Sequence, residues 1–220
     1  MPTERESLIK ALYKFFRFIL FPIIIIADFF QNNFTKYFTP MNMGPVTSKG
    51  WSDLIRKFLL KNDFVLDYGC GVGYFCRLFN HKKYIGLDIN KSFIKNAKKI
   101  NRKYVFKNFQ EGISTKNKKK INAVLLNNVV HHLSDTQVAE AFFFFKNNTK
   151  KKTKILIIEP LFPTKFFALE FFMKVIDIGN YIKNKKEYLE MFSNYVKINK
   201  TQIKKFGIGT VLIIHGYLIK

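Results

Sequence analysis

From residue 48 onward, apolar and polar positions switch repeatedly between two periods. Trp51, Leu54, Ile55 and Phe58 recur at i, i+3, i+4 and i+7, one face of a helix. Short, uniformly apolar runs then follow: Phe64-Val-Leu, Tyr84-Ile-Gly-Leu, Tyr104-Val-Phe, Ala123-Val-Leu-Leu, Ile155-Leu-Ile-Ile and Val211-Leu-Ile-Ile. Runs without alternation are the pattern of strands covered on both faces. Between them lie helical stretches, residues 92–100 after Ser92 as N-cap and residues 135–147 after Ser134. The second carries Val138, Ala141, Phe142 and Phe145 on one face. Strand–helix alternation predicts an α/β fold with a mostly parallel sheet and right-handed crossovers. Ligands bind at the carboxyl ends of such strands.

Ahead of this region the pattern changes. Phe18 to Ala27 is a run of ten apolar residues with Pro22 inside it and Arg17 and Asp28 at its ends. A spanning helix needs about 20 apolar residues, so the run is too short to cross a bilayer. It also lacks the small-residue cleavage site of a signal peptide. Two readings stand for residues 13–30: an interfacial anchor with Arg5, Lys10, Lys14 and Arg17 near anionic headgroups, or a helix packed on the domain.

The chain has 220 residues, long enough for a sizeable core, and only two cysteines, which excludes a disulfide scaffold. A reduced, cytoplasmic setting is expected, with membrane association through residues 13–30 as an addition. The net charge of +23 suggests nucleic acid as a partner. Against that, the chain holds 33 Lys and only 5 Arg, and Arg is the better residue for bidentate phosphate or base recognition. The lysine clusters Lys82-Lys83, Lys116 with Lys118–Lys120, and Lys150–Lys152 with Lys154 all precede strands, placing them at the edge opposite a ligand site. A nucleic-acid partner is therefore not expected.

The chemistry is carried by Asp67-Tyr-Gly69-Cys-Gly71-Val-Gly73, which follows the first strand. Glycines there permit a sharp turn and close approach of backbone to ligand. The second strand ends in Asp88, a carboxylate placed to accept both hydroxyls of a ribose. A nicotinamide fingerprint would need glycine at position 74, which is Tyr74. At this point the chain resembles the class I S-adenosylmethionine-dependent methyltransferases, in particular the small-molecule group that includes the ubiquinone and menaquinone methyltransferases. The resemblance rests on Val65 to Gly73, Tyr84 to Asn90, Ile121 to Leu133 and Ile155 to Pro160, and spans roughly residues 50–160.

The resemblance implies a Rossmann-like, doubly wound seven-stranded sheet, mostly parallel with an antiparallel last strand, and helices on both faces. It divides the chain into an N-terminal cap or membrane-surface segment, residues 1–45, and a methyltransferase domain, residues 46–220. It implies S-adenosyl-L-methionine as cofactor. Gly69, Gly71 and Gly73 would bend beside the methionine portion, facing the start of a following helix, with Asp67 ordering the loop and reaching the amino group. Asp88 would hold the ribose, Ile89 would lie against the adenine, and Asn108, followed by Phe109, would meet the adenine amino group in place of the usual Asp. Asn127 and Asn128 would line the methyl-transfer site. No metal is expected.

His131 and His132 follow the fourth strand, where either could be a catalytic base or could simply shape the loop. His81 and His215 read as surface or sheet-edge residues, Cys70 as a filler in the glycine loop and Cys76 as core of the next helix. The aromatic stretch at about 161–194, with Leu161, Phe162, Phe166, Phe167, Leu169, Phe171, Phe172 and Met173, leaves the fifth strand toward the site. It reads as a substrate cover or as core. Tyr181 with Lys183, Lys185 and Lys186 would meet an anionic substrate group or form a solvated turn. The expected reaction moves a methyl group to a small, lipid-like acceptor. An RNA or protein acceptor and a non-catalytic cofactor-binding subunit are the rivals.

Overall fold

The computed structural model describes residues 4–22, 26, 45–114, 117, 118, 120–162, 181–206 and 209–219. In chain order its main elements are α1 (Glu4–Ile19), α2 (Pro45–Phe58), β1 (Val65–Tyr68), β2 (Tyr84–Asp88), α3 (Lys91–Ile100), β3 (Val105–Asn108), β4 (Ala123–Asn127), α4 (Asp135–Asn148), β5 (Lys154–Pro160), α5 (Lys185–Ser193), β6 (Val196–Phe206) and β7 (Gly209–Leu218). The strands make one seven-stranded sheet in the order β3-β2-β1-β4-β5-β7-β6. β1 to β5 pair in parallel, and β7 runs antiparallel to both its neighbours.

Uniform strands arise because successive side chains serve different cores. Val65, Ala123, Leu125, Leu156 and Ile158 face one side with Trp51, Leu54 and Ile55 of α2 and Ile94 and Ala97 of α3. Leu66, Val124, Leu126, Ile155 and Ile157 face the other, under Val138, Phe142 and Phe145 of α4 and Tyr188 and Phe192 of α5. Each such fully buried aliphatic side chain contributes about 2 kcal/mol. The strand order reverses between β1 and β4, and their carboxyl ends open the crevice where ligands of doubly wound sheets bind.

Several local details depart from the sequence expectations. Asn90, not Ser92, caps α3, its side chain accepting from the N–H groups of Ser92 and Phe93. A carboxamide one residue before the first turn reaches those donors better than a hydroxyl already inside it. Ser134 caps α4 as expected, in a reciprocal box with Gln137. The glycine loop leads only into turns and two short 3-10 turns, Cys76–Leu78 and His81–Lys83, because few residues separate it from β2. Cys76 is core, fully buried against the α2 side of the sheet. His81 is exposed, whereas His215 lies inside the sheet on β7 and stacks on Phe58 at 4.9 Å. β6 escaped the hydrophobic pattern altogether. It is the outer strand, rich in lysine and broken by an irregularity between Ile198 and Lys200, features that discourage pairing with another chain.

At the amino ends of the strands, Lys154 belongs to a structural network. Its Nζ donates to both oxygens of buried Asp63, at 3.1 and 3.0 Å, and Asp63 also accepts from Leu60 N at 2.8 Å and Asn122 Nδ2 at 3.1 Å. Asp63→Ala leaves those donors without their acceptor. Thermal unfolding is expected to register a loss of about 2 kcal/mol.

α1 packs Ile9 and Tyr13 against Phe162, with Tyr13 and Phe162 rings edge-to-face at 5.2 Å. Its Lys10 pairs with Glu187 of α5. Among the described residues no helix is long and apolar enough to cross a membrane. The rest of the N-terminal segment 13–30, residues 23–25 and 27–30, lies outside the described residues, as does the aromatic stretch from Phe166 to Met173.

Candidate active site

The bend after β1 is held onto β2. Gly69 N and Cys70 N both donate to the carbonyl of Leu87, at 2.8 and 3.0 Å. Gly69 has φ +74°, and a Cβ there would lie 2.3 Å from Val129 Cγ2, so only glycine lets the bend touch the loop after β4. Gly71, at φ +54°, has nothing within 4 Å of where its Cβ would stand, leaving open space beside the chain. Cys70 is half-buried, and burial pushes its thiol well above the usual range, with Asp67 and Asp88 adding to the shift. Burial of this kind favours the neutral thiol over the thiolate.

Asp88 closes the bend from the neighbouring strand. Its Oδ2 accepts from Gly71 N at 2.8 Å and its Oδ1 from Asn90 N at 2.8 Å. Burial raises its pKa above the ordinary carboxylate value, although the N–H groups of Asn90 and Gly71 favour the charge. The N–H of Ile89 favours the charge as well, and the four lone-pair directions of the carboxylate still leave room for a ligand donor. Beyond it Ile89 is 79 % exposed, an apolar side chain left in water at a strand tip.

Asn108 ends β3 and Phe109 opens the turn that follows it. The Asn108 amide donates to the carbonyls of Asp88 and Ile89, at 3.2 and 2.7 Å, while its oxygen accepts from Gln110 N at 3.2 Å. The side chain therefore braces the β2 tip and caps the turn after β3, because that turn needs an N-cap at this position. Phe109 packs against Tyr68 and Phe144, with centroids at 5.5 and 5.2 Å.

Asp67 is buried, and its Oδ2 accepts from the Tyr84 hydroxyl at 2.6 Å. Burial pushes Asp67 up to about 7, against the lowering effect of that hydrogen bond. Tyr84 itself is held well above its usual value, chiefly by burial and then by Asp67. Tyr84 was invisible as a site residue: it reads as the first position of an apolar strand.

The β4 tip is organised by a residue to which the sequence pattern gives no role. Glu159, 1 % exposed at the end of β5, accepts from Val129 N and Val130 N through Oε1, at 2.9 and 2.8 Å. Its Oε2 accepts from His131 N at 3.3 Å and lies 2.7 Å from His131 Nδ1. The sequence signal was a carboxylate ending an otherwise apolar strand, a charge that burial permits only with partners. His131 is thus 3 % exposed and locked, while His132 is exposed, its ring 4.0 Å from that of His131. Asn128 sits at φ +53° and donates its N–H to Ile158 O at 2.8 Å. The Asn127 Oδ1 is buried without a hydrogen-bond partner among the described residues. Of the candidate substrate cations, Lys183 pairs with Asp135 of α4 at 3.0 Å, while Lys185 and Lys186 open α5.

The family described as "Methyltransferase domain" matches residues 47–196. No curated protein sequence matches the chain significantly. Among solved structures, mitomycin 7-O-methyltransferase superposes with a TM-score of 0.62 at 15% identity over 80% of this chain, which spans 55% of that protein's length. A SAM-dependent methyltransferase from Methanosarcina mazei gives 0.58 at 15% identity, covering 74% of this chain and 96% of its own. A geranyl diphosphate C-methyltransferase from Streptomyces coelicolor, solved with Mg2+, geranyl diphosphate and S-adenosyl-L-homocysteine, gives 0.59 at 10% identity, covering 78% and 80%. At such identities the likeness is one of fold. The family match, however, runs from α2 through the glycine bend, Asp88 and Glu159 to the start of β6, and on that ground this chain belongs to the class I S-adenosylmethionine-dependent methyltransferases.

Proposed function

We propose that the chain binds S-adenosylmethionine across the tips of β1, β2 and β4 and transfers its methyl group to a small, lipophilic acceptor. The observation that carries this reading is the 2.8 Å bond from Gly71 N to Asp88, which sets the glycine bend and an acidic strand tip face to face. The site fits that cofactor in three ways. Open space lies beside Gly71, Asp88 has unused acceptor directions, and Asn127 Oδ1 is a buried acceptor awaiting a donor. Asp88 would take the ribose hydroxyls and Ile89 one face of the adenine, with Asn108 holding both in position. Asp67 would attract the amino group of the methionine portion, and Asn127 would accept from the same end of the ligand.

When bound, the cofactor supplies an electrophilic methyl on a sulfonium whose charge disappears on transfer. What is left to the chain is alignment, plus removal of a proton where the acceptor carries one. His132 is the imidazole with access to an acceptor. His131, fixed by Glu159, shapes the loop that carries it.

A small acceptor is supported by the names of two structural neighbours, which act on mitomycin and on geranyl diphosphate. A lipophilic one is supported by Leu161 and Phe162, which leave β5 at the site with Phe162 packed against α1 and Ile182. The exposed Lys82, Lys83, Lys150, Lys151 and Lys152 lie at the opposite edge of the sheet, which argues against RNA. Incubation with methyl-labelled cofactor and separated lipid, small-molecule, RNA and protein pools tests the assignment. Label is expected in a lipid or small-molecule fraction, and label confined to RNA or protein refutes it.

The raised Asp67 pKa gives the binding a pH signature. The neutral acid predominates below about 7 and the carboxylate above it. A cationic amino group selects the carboxylate, so affinity for S-adenosylmethionine should rise with pH. The slope approaches about tenfold per unit below that point and flattens above it. The fold itself has the opposite sign: a carboxyl pKa raised by folding stabilises the acidic side, and that contribution fades as pH climbs from about 4 toward 7. In Asp67→Asn both trends should disappear, as calorimetric affinities and melting curves from pH 5.5 to 8.5 would reveal.

A further inference from the structure

We propose that the outward face of α1 is a docking surface for an anionic lipid membrane. The helix has two apolar faces, and among the described residues the domain uses only one. With 3.6 residues per turn, Leu8, Phe15 and Ile19 fall within about 40° of one line, while Ile9 and Tyr13 point roughly 100–140° away, into the contact with Phe162. On the outer line Leu8 is 61% exposed, Phe15 59% and Ile19 53%, with Phe18 beside them at 81% and Phe21 following at 58%. Five large apolar side chains between Leu8 and Phe21 form a patch that a monomer in water rarely leaves open.

Charge around the patch selects its occupant. Lys14 is exposed on the flank next to Phe18. Lys10, which pairs with Glu187 of α5, points roughly 140–180° away from the Leu8–Phe15–Ile19 line, so that contact leaves the outer face clear. Aromatic and aliphatic side chains flanked by an exposed lysine suit an interface where phenyl rings enter the acyl boundary and an ammonium group meets lipid phosphate. The total charge of +23 adds long-range attraction to such a surface and would oppose pairing of two copies. Since α1 packs on Phe162 at the end of β5, a helix lying on the bilayer would hold the open strand tips close to it.

Sedimentation of the full chain with vesicles tests this without any catalytic readout. The wild type should sediment with phosphatidylcholine vesicles containing phosphatidylserine and remain largely in solution with phosphatidylcholine alone. Phe15→Glu combined with Phe18→Glu should lower partitioning more than tenfold with unchanged circular dichroism and melting temperature. Lys14→Ala should lower it about fivefold. A wild type that ignores anionic vesicles, or a double variant that sediments like wild type, overturns the proposal. So does a dimer in ultracentrifugation that the double substitution dissolves while neither form binds vesicles, since the patch would then be a contact between copies. Failure of any of these arms leaves cofactor binding, measured separately, untouched.

Discussion

Asp88→Ala is expected to weaken S-adenosylmethionine binding at least a hundredfold while the protein stays folded. Two ribose hydroxyls donating to one carboxylate are charge-assisted hydrogen bonds, together about 3 kcal/mol or more, and about 1.4 kcal/mol is a factor of ten. The structural cost is small for a stated reason. Asp88 holds Gly71 N and Asn90 N, but it is only partly buried, so water can replace it at both donors. Its pKa is raised because burial disfavours the charge, and removing that charge relieves the desolvation. Calorimetry and thermal melting run on the same sample separate the two effects. An affinity within threefold of wild type would mean that the ribose lies elsewhere.

The largest effect on stability belongs to Glu159→Ala. One carboxylate satisfies Val129 N, Val130 N and His131 N and sits 2.7 Å from His131 Nδ1, with Glu159, Val130 and His131 all buried. Deleting it leaves buried donors with no acceptor, at a cost of about 3–5 kcal/mol. A domain of this size should lose roughly 10 °C in melting temperature. Glu159→Gln keeps one acceptor oxygen for Val129 and Val130 and should fall between the two. Because Val129 touches the bend at Gly69, cofactor affinity should drop in both variants. Hydrogen exchange at Val129 to His131 is the direct readout. Amide protection unchanged in the alanine variant would show that the loop is held by something else.

The contrast between these two carboxylates explains how far the sequence could be read. Asp88 was legible because it follows a glycine bend at fixed spacing, and the spacing itself states the geometry. Strands whose alternate residues feed two cores, such as Ala123 to Leu126, were legible because both faces demand apolar side chains. β6 was not, since an edge strand covered on one side carries lysines such as Lys197 and Lys204 that resemble a loop. Glu159 and Tyr84 were missed for a related reason: each is a polar group inside a strand, and its partner is distant in sequence. Asn108 was placed at the correct tip, but its amide turned out to serve the backbone of Asp88 and Ile89. Sequence spacing locates a residue on an element; which of several nearby groups its side chain meets is decided by packing.

Calorimetric titration of the wild-type chain with S-adenosylmethionine at pH 8 bears most directly on the whole account. One equivalent should bind each chain saturably, and the product S-adenosylhomocysteine should compete for the same site. A titration with no saturable heat, together with no rise in melting temperature at millimolar ligand, would contradict it.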